Sequence, residues 1–221
     1  MENKNNEMFA AQADKYAKEN YWRFDEEYLA NKYFKPGSSI LVLGVGGGRT
    51  LPHLHKKGLK ITAIDIVPEM VERAKENYGN LDIPILEMDA TDLKFKDGTF
   101  DSVFFPFHGM DCIYPDIYKC VKEAARVLKP DGVLIFNSHN RFSLTALKKF
   151  FEGKYADYDG IVLYRATVFE IFKLKRYFKS VKFKFRISMF PLEKSNWKDI
   201  LYKILPIFDR SIYFICRFPK K

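Results

Sequence analysis

The chain has 221 residues, 47% hydrophobic and 29% charged, the values of a globular protein long enough for a substantial core. Its net charge of +9 belongs to the last third: from Arg141 onward 19 Lys/Arg face 7 Asp/Glu, a net of +12, against −3 for the first 140 residues. No apolar run approaches the ~18 residues of a membrane span and no signal-peptide core follows the polar start. Three scattered cysteines form no disulfide framework, so the expected location is the reducing cytoplasm.

In chain order, helical spacing of Phe9, Ala13, Tyr16 and Ala17 predicts a helix over 7–20, and a second over 24–34 stops at Pro36-Gly37. A β-branched run predicts a strand over 39–43, broken by four glycines in five positions and followed by a helix up to 57. A strand over 60–64 ends on Asp65, and a helix over 68–78 has Pro68 in its first turn. Strands over 84–88 and 100–105 follow, then a helix over 114–128, a Lys129-Pro130-Asp131-Gly132 turn and a strand over 133–137. Beyond that, 142–151 and 166–178 read as helices and 154–160 as a polar loop. Residues 180–187 read as a strand with one apolar and one basic face, and 211–218 as the last strand. Between those strands Trp197, Ile200, Leu201, Ile204, Leu205 and Phe208 mark an amphipathic helix over 196–208.

The strand–glycine–helix junction at 39–57 is the chemical focus. Glycines let the backbone adopt positive φ and let a ligand approach the main chain, and the start of a helix offers unpaired N–H groups. A dinucleotide fingerprint needs a third Gly or Ala where this chain has Arg49 or Leu51, and no P-loop Lys-Ser/Thr follows. The spacing present is Gly44-x-Gly46-x-Gly48. Asp65, 17 positions after Gly48, ends the next strand, where a carboxylate has acceptor sites for two ribose hydroxyls.

This pattern resembles motif I of the class I (Rossmann-like) S-adenosylmethionine (SAM)-dependent methyltransferases. Where that family often carries an acid that helps hold the methionine amino group, this chain has Val42. The run Glu123-Ala-Ala-Arg-Val-Leu-Lys-Pro-Asp-Gly132 resembles the family's approach to its fifth strand, and the resemblance covers 39–137. It implies SAM as cofactor, with contacts from Gly44, Val45, Gly46, Gly48, Asp65, Ile66 and Phe105. It also implies that Asp89 and Ala90 meet the adenine. The fold it implies is doubly wound α/β, a mostly parallel seven-stranded sheet with one antiparallel strand and helices on both faces. One domain would then span 1–221: N-terminal lid helices over 1–37, a SAM-binding core over 38–140, and a basic part over 141–221 completing the sheet and acceptor site. Tyr16, Tyr21 and Trp22 are either lid residues or core aromatics.

Methyl transfer needs chiefly positioning, with a general base where the acceptor is a weakly acidic hydroxyl. The acceptor crevice should lie beyond strands four and five, at Phe107, His108, Met110, Asp111 and the string from Asn137 to Arg141. His139 and His108 are the candidate bases. No clustered metal ligands are legible; His53 and His55 fall on different sides of a helix, so no metal is expected. The reading is a methyltransferase acting at O or N of a small molecule. The alternatives are a nucleic-acid (RNA) methyltransferase using Lys173, Lys175, Arg176, Lys182, Lys184 and Arg186, and a catalytically degenerate SAM-fold regulatory protein, suggested by Val42. Membrane-surface contact through 196–208 ranks lower than packing of that helix on the sheet.

Overall fold

The computed structural model describes residues 2–113, 115–143, 155–158, 161–189 and 205–220. Its centre is a parallel set: β1 (Ser39–Leu43) between β2 (Lys60–Asp65) and β4 (Phe100–Phe105), with β3 (Ile85–Glu87) beyond β2 and β5 (Leu128–Asn140) beyond β4. On the far side of β5 runs β9 (Ser211–Pro219), antiparallel from Val133↔Arg217 to His139↔Ser211, and β8 (Phe178–Phe185) pairs antiparallel with β9. The run β3-β2-β1-β4-β5-β9-β8 is therefore seven strands with β9 alone reversed, as the resemblance implied.

Two further strands bring the sheet to nine. β6 (Tyr155–Tyr158) and β7 (Ile161–Ala166) form a hairpin where 154–160 was expected to be a loop. They flank Asp159-Gly160, a dipeptide favoured at two-residue hairpin turns that the sequence reading did not weigh. β7 takes over the β4 side of β5 after β4 has ended, pairing His139↔Arg165 and Asn140↔Ala166. The Lys-Pro-Asp-Gly segment is not a separate turn but an irregularity inside β5. Leu128 pairs with Phe100 and Val133 with Ser102, so five positions on one strand pass two on the other. Pro130, with no N–H for the ladder, sits in that interruption.

Helices α3 (Phe24–Tyr33), α4 (Leu51–Lys56), α5 (Pro68–Tyr78) and α7 (Ile117–Val127) fall where their spacing predicts, and α6 (Gly109–Cys112) is a single extra turn. The helix expected over 7–20 is broken at Gln12 into α1 (Glu2–Ala11) and α2 (Ala13–Ala17). The one expected over 166–178 shrinks to α8 (Glu170–Leu174). Residues up to Ala166 are held by β7, and Phe169 and Phe172 are 62% and 64% exposed. Of the helix expected over 142–151, Phe142 and Ser143 form a turn and a bend, and the rest, like all but Leu205 to Phe208 of that over 196–208, lies outside the described residues; Pro206–Phe208 form one 3-10 turn. Among the described residues no helix is long and apolar enough to cross a membrane.

Strand periodicity sorts the core. Leu41, Leu43, Val103, Phe105, Leu134 and Phe136 pack with Cys120, Val121 and Ala124 of α7. Their neighbours Ile40, Val42, Ala63, Phe104 and Ile135 pack with residues of α3, α4 and α5. Val42 is fully buried in that second layer.

Candidate functional site

A cavity of about 1130 Å³ opens beyond the carboxyl ends of β1, β2, β4 and β5, beneath the N-terminal helices. At one end is the glycine loop. Gly44 has φ +59°, and a Cβ there would lie 2.6 Å from the Phe105 ring; a Cβ on Gly47 would lie 2.4 Å from the Tyr16 carbonyl oxygen, so α2 closes on the loop through that glycine. Val45 N–H donates to the Ile64 carbonyl (2.9 Å) and Gly46 N–H to Asp65 Oδ2 (2.8 Å), while Val67 N–H donates to Asp65 Oδ1 (3.1 Å). Burial pushes the Asp65 carboxyl up, and these N–H donors oppose the shift. Each carboxylate oxygen still has acceptor capacity. Asp89 accepts from Thr91 N–H (2.7 Å) and Thr91 Oγ1 (2.9 Å) at the rim.

Gly44, Val45, Gly46, Asp65, Ile66, Asp89, Ala90 and Phe105 all line this cavity. Gly48 does not; it stands behind the loop against Tyr78. Two features suit a nucleoside-bearing cofactor: Gly46 faces open space where a Cβ would meet nothing within 4 Å, and the cavity-lining Thr50 has a buried Oγ1 without a hydrogen-bond partner.

The other end is made of side chains. β4 leaves the sheet through Phe107 (φ +57°) and His108 (φ +63°), two successive non-glycine residues in the left-handed region, at about 1–3 kcal/mol each. His108 N–H donates to Asn137 Oδ1 (3.0 Å), Nε2 lies 2.9 Å from Ser211 Oγ, and the ring stacks on His139 with centroids 3.9 Å apart. Asp111, 1% exposed, accepts from the His139 backbone N–H at 2.8 Å and lies 2.8 Å from His139 Nδ1; Ser138 Oγ donates to its other oxygen. A carboxylate only accepts, so Nδ1 carries the proton and Nε2 the basic lone pair. Burial raises the Asp111 carboxyl against the pull of His139 and Ser138. Burial, then the charges of His139, Arg23 and Arg186, hold His108 well below the usual imidazole value.

Both candidate histidines line the cavity, as does Phe107. Met110, Asn137, Ser138 and Asn140, expected in the crevice, are buried and brace it; Asn140 Nδ2 donates to the carbonyls of Ile207 (2.6 Å) and Asp209 (2.7 Å). Arg141 is exposed. Sequence reasoning missed the arginines on the wall. Arg49, 6% exposed, donates from Nη2 and Nη1 to Glu26 (2.6 and 2.8 Å) with its guanidinium 4.8 Å from both the Tyr21 and Phe107 rings. Arg23 pairs with Asp25 (3.1 and 3.2 Å), which also accepts from Tyr213 Oη (2.6 Å). Arg186 and Arg210 line the same end. Among the described residues no group of three His, Cys, Asp or Glu could hold a metal ion.

Comparison with known proteins agrees with this geometry. Residues 41–136 match the family described as "Methyltransferase domain". Over 107 residues the chain is 36% identical to the phosphatidylethanolamine N-methyltransferase of Cereibacter sphaeroides, covering 47% of this chain and 51% of that one. Over 122 residues it is 30% identical to the ubiquinone biosynthesis O-methyltransferase of Xanthomonas campestris pv. campestris, covering 52% and 48%. The chain spans about half the length of the curated relatives it matches. Among solved structures, a chain of the complex between the Haloferax volcanii Trm112 methyltransferase activator and a methyltransferase aligns with TM-score 0.72 at 21% identity, covering 96% of this chain and 98% of that chain. The Burkholderia thailandensis 1,6-didemethyltoxoflavin-N1-methyltransferase, solved with its acceptor and S-adenosylhomocysteine (SAH), aligns with TM-score 0.64 at 17% identity over 97% and 87%. Residues 41–136 thus match a methyltransferase domain, and the chain has the fold of the class I SAM-dependent methyltransferases to which these structures belong.

Proposed function

We propose that this protein transfers a methyl group from SAM to an oxygen of a small molecule, with His139 as general base. SAM supplies a methyl already activated on a sulfonium; the protein's part is to bind, orient, exclude water and move a proton. Asp65 would take the ribose hydroxyls while its bond to Gly46 keeps the glycine loop in place. Asp89 and Ala90 would meet the adenine edge, and Ile66, Met70, Met88 and Phe105 supply the apolar walls. The helices α1 and α2 would form the lid, which the close fit of Tyr16 on Gly47 supports.

At the acceptor end His139 Nε2 would accept the proton of the acceptor hydroxyl as that oxygen attacks. Asp111 fixes the tautomer and stabilises the imidazolium that results. The Asp111–His139 pair on the wall of the same cavity as the glycine loop is the observation that carries this reading. The relatives act at both O and N by name; a neutral amine needs no base, so an oriented imidazole favours oxygen.

The test is SAH release against matched alcohol, phenol and amine panels, from pH 5 to 9, after calorimetry has established SAM binding. Turnover of hydroxyl acceptors should depend on His139. Equal turnover by a His139→Ala variant would remove the base from the mechanism, and SAM binding without turnover of any acceptor would favour a regulatory role.

A further inference from the structure

SAM ends in an ammonium carboxylate. An ammonium has donors only, so one taken from water into a cavity needs an acceptor there. Strand β1 offers none: Val42 and Leu43, which lead into the glycine loop, are apolar and fully buried. Among the described residues the carboxylates lining the cavity are Glu19, Asp25, Asp65 and Asp89. Arg23 engages both oxygens of Asp25 (3.2 and 3.1 Å), which also accepts from Tyr213 Oη (2.6 Å). Asp65 is tied to Gly46 and Val67, and Asp89 to Thr91 at the rim. Glu19 is held less fully. Its Oε2 accepts from Tyr21 Oη at 3.3 Å and lies 4.0 Å from Arg49 Nε, and among the described residues no hydrogen bond reaches Oε1. Both Nη groups of Arg49 go to Glu26 instead. The backbone sets Glu19 over the glycine loop. It follows α2 by two residues, and Asn77 Nδ2 donates to the carbonyls of both Ala17 (2.8 Å) and Gly47 (3.1 Å), which pins α2 to that loop.

Resting on SAM as the cofactor and on Asp65 as its ribose partner, we propose that Glu19 holds the ammonium at the methionine end of SAM. The three ammonium donors can meet the open Oε1 and the remaining lone pair of Oε2, and a charge-assisted bond of this kind is among the stronger ones. The Tyr21 hydroxyl orients the carboxylate from the outside. The acid then comes from the segment joining α2 to α3 and not from the sheet, so that segment closes on the cofactor through an ion pair. It adds one side chain to an end otherwise built from the glycine loop and Asp65.

The test measures binding by calorimetry on the full chain with two probes. One is SAH; the other is its deaminated analogue, which keeps the adenosine, thioether and carboxylate but lacks the ammonium. The wild type should bind SAH about tenfold or more tighter than the analogue, as expected for one charge-assisted pair. In Glu19→Gln that preference should collapse while affinity for the analogue stays within about twofold, since the analogue lacks the group that Glu19 meets. Glu19→Asp should keep part of the preference. Thermal unfolding of each variant establishes that it is folded. An analogue that binds the wild type as well as SAH does, or a preference untouched in Glu19→Gln, overturns the proposal. An equal loss of both probes in Glu19→Gln overturns it too, because Glu19 would then brace the lid and not the ammonium. If the wild type binds neither probe, the cofactor reading falls and this assignment falls with it. Asp65→Ala should weaken both probes by the same factor, which separates a lost ribose contact from a lost ammonium contact.

Discussion

The two ends of the cavity are built by different means. The proposed cofactor end uses main chain: the N–H groups of Gly46 and Val67 hold the Asp65 carboxylate, and glycines let α2 and Phe105 close on the loop. The proposed acceptor end uses side chains delivered by separate elements: Arg23 before α3, Phe107 and His108 after β4, His139 on β5, Arg186 after β8 and Arg210 before β9. A ligand common to many enzymes can be held by backbone that any sequence supplies once the turn is right. A ligand that differs between enzymes has to be met by side chains, which can change without disturbing the turn.

That contrast is sharpest when each end is damaged alone. His139→Ala should lower turnover on a hydroxyl acceptor by roughly 10²–10⁴-fold while SAM affinity by calorimetry stays put; a joint loss of both would mean that the ends are not separable. Asp111→Asn keeps the shape but weakens the hold on Nδ1, and should cost about 10–100-fold in turnover, with a displaced pH–rate profile. An unmoved profile would leave Asp111 a structural brace. At the other end Asp65→Ala should reduce SAM affinity by about tenfold or more, through loss of charge-assisted hydrogen bonds, with acceptor binding to any residual complex unchanged. An unchanged SAM dissociation constant in a folded variant would take the ribose role away from Asp65.

The smallest effect is on stability. His108 is depressed in the folded protein, whereas the unfolded chain protonates near pH 6.5. Its contribution is therefore fully present above that value and is lost as pH falls below it, at no more than about 1.4 kcal/mol per pH unit. Denaturant midpoints from pH 7.5 to 5 should fall less steeply in His108→Gln than in the wild type; parallel slopes would contradict the assignment.

The same contrast explains what could be read from the chain. The glycine loop and Asp65 lie within 22 positions, Gly44 to Asp65, so spacing alone places them together. Strand periodicity and the Pro and Gly stops located the central strands, because each is a local matter of burial and turn chemistry. Asp111 and His139 are 28 positions apart and meet only through the turn after β4. Arg210 joins them because β9 lies against β5, a register that no local pattern encodes. The basic residues of the last third looked like one surface charge, yet Arg186 lines the cavity while Lys173 lies exposed on α8. The β6–β7 hairpin was missed because 154–160 was read from its polar composition as a loop.

The place of β9 in the sheet has a consequence for synthesis. It follows the other described strands in the chain, yet it lies between β5 and β8 and reaches back to the N-terminal helices through the Tyr213–Asp25 bond, 188 positions apart. Until Ser211–Pro219 has emerged, β5 and β8 each present an unpaired edge, a template for pairing with other nascent chains. The proposed acceptor end stays incomplete for the same interval, since Ser211 meets His108 and Arg210 arrives with that strand. A chain cut ahead of Arg210 would keep its glycine loop but lack the Ser211 and Arg210 side chains of the proposed acceptor end.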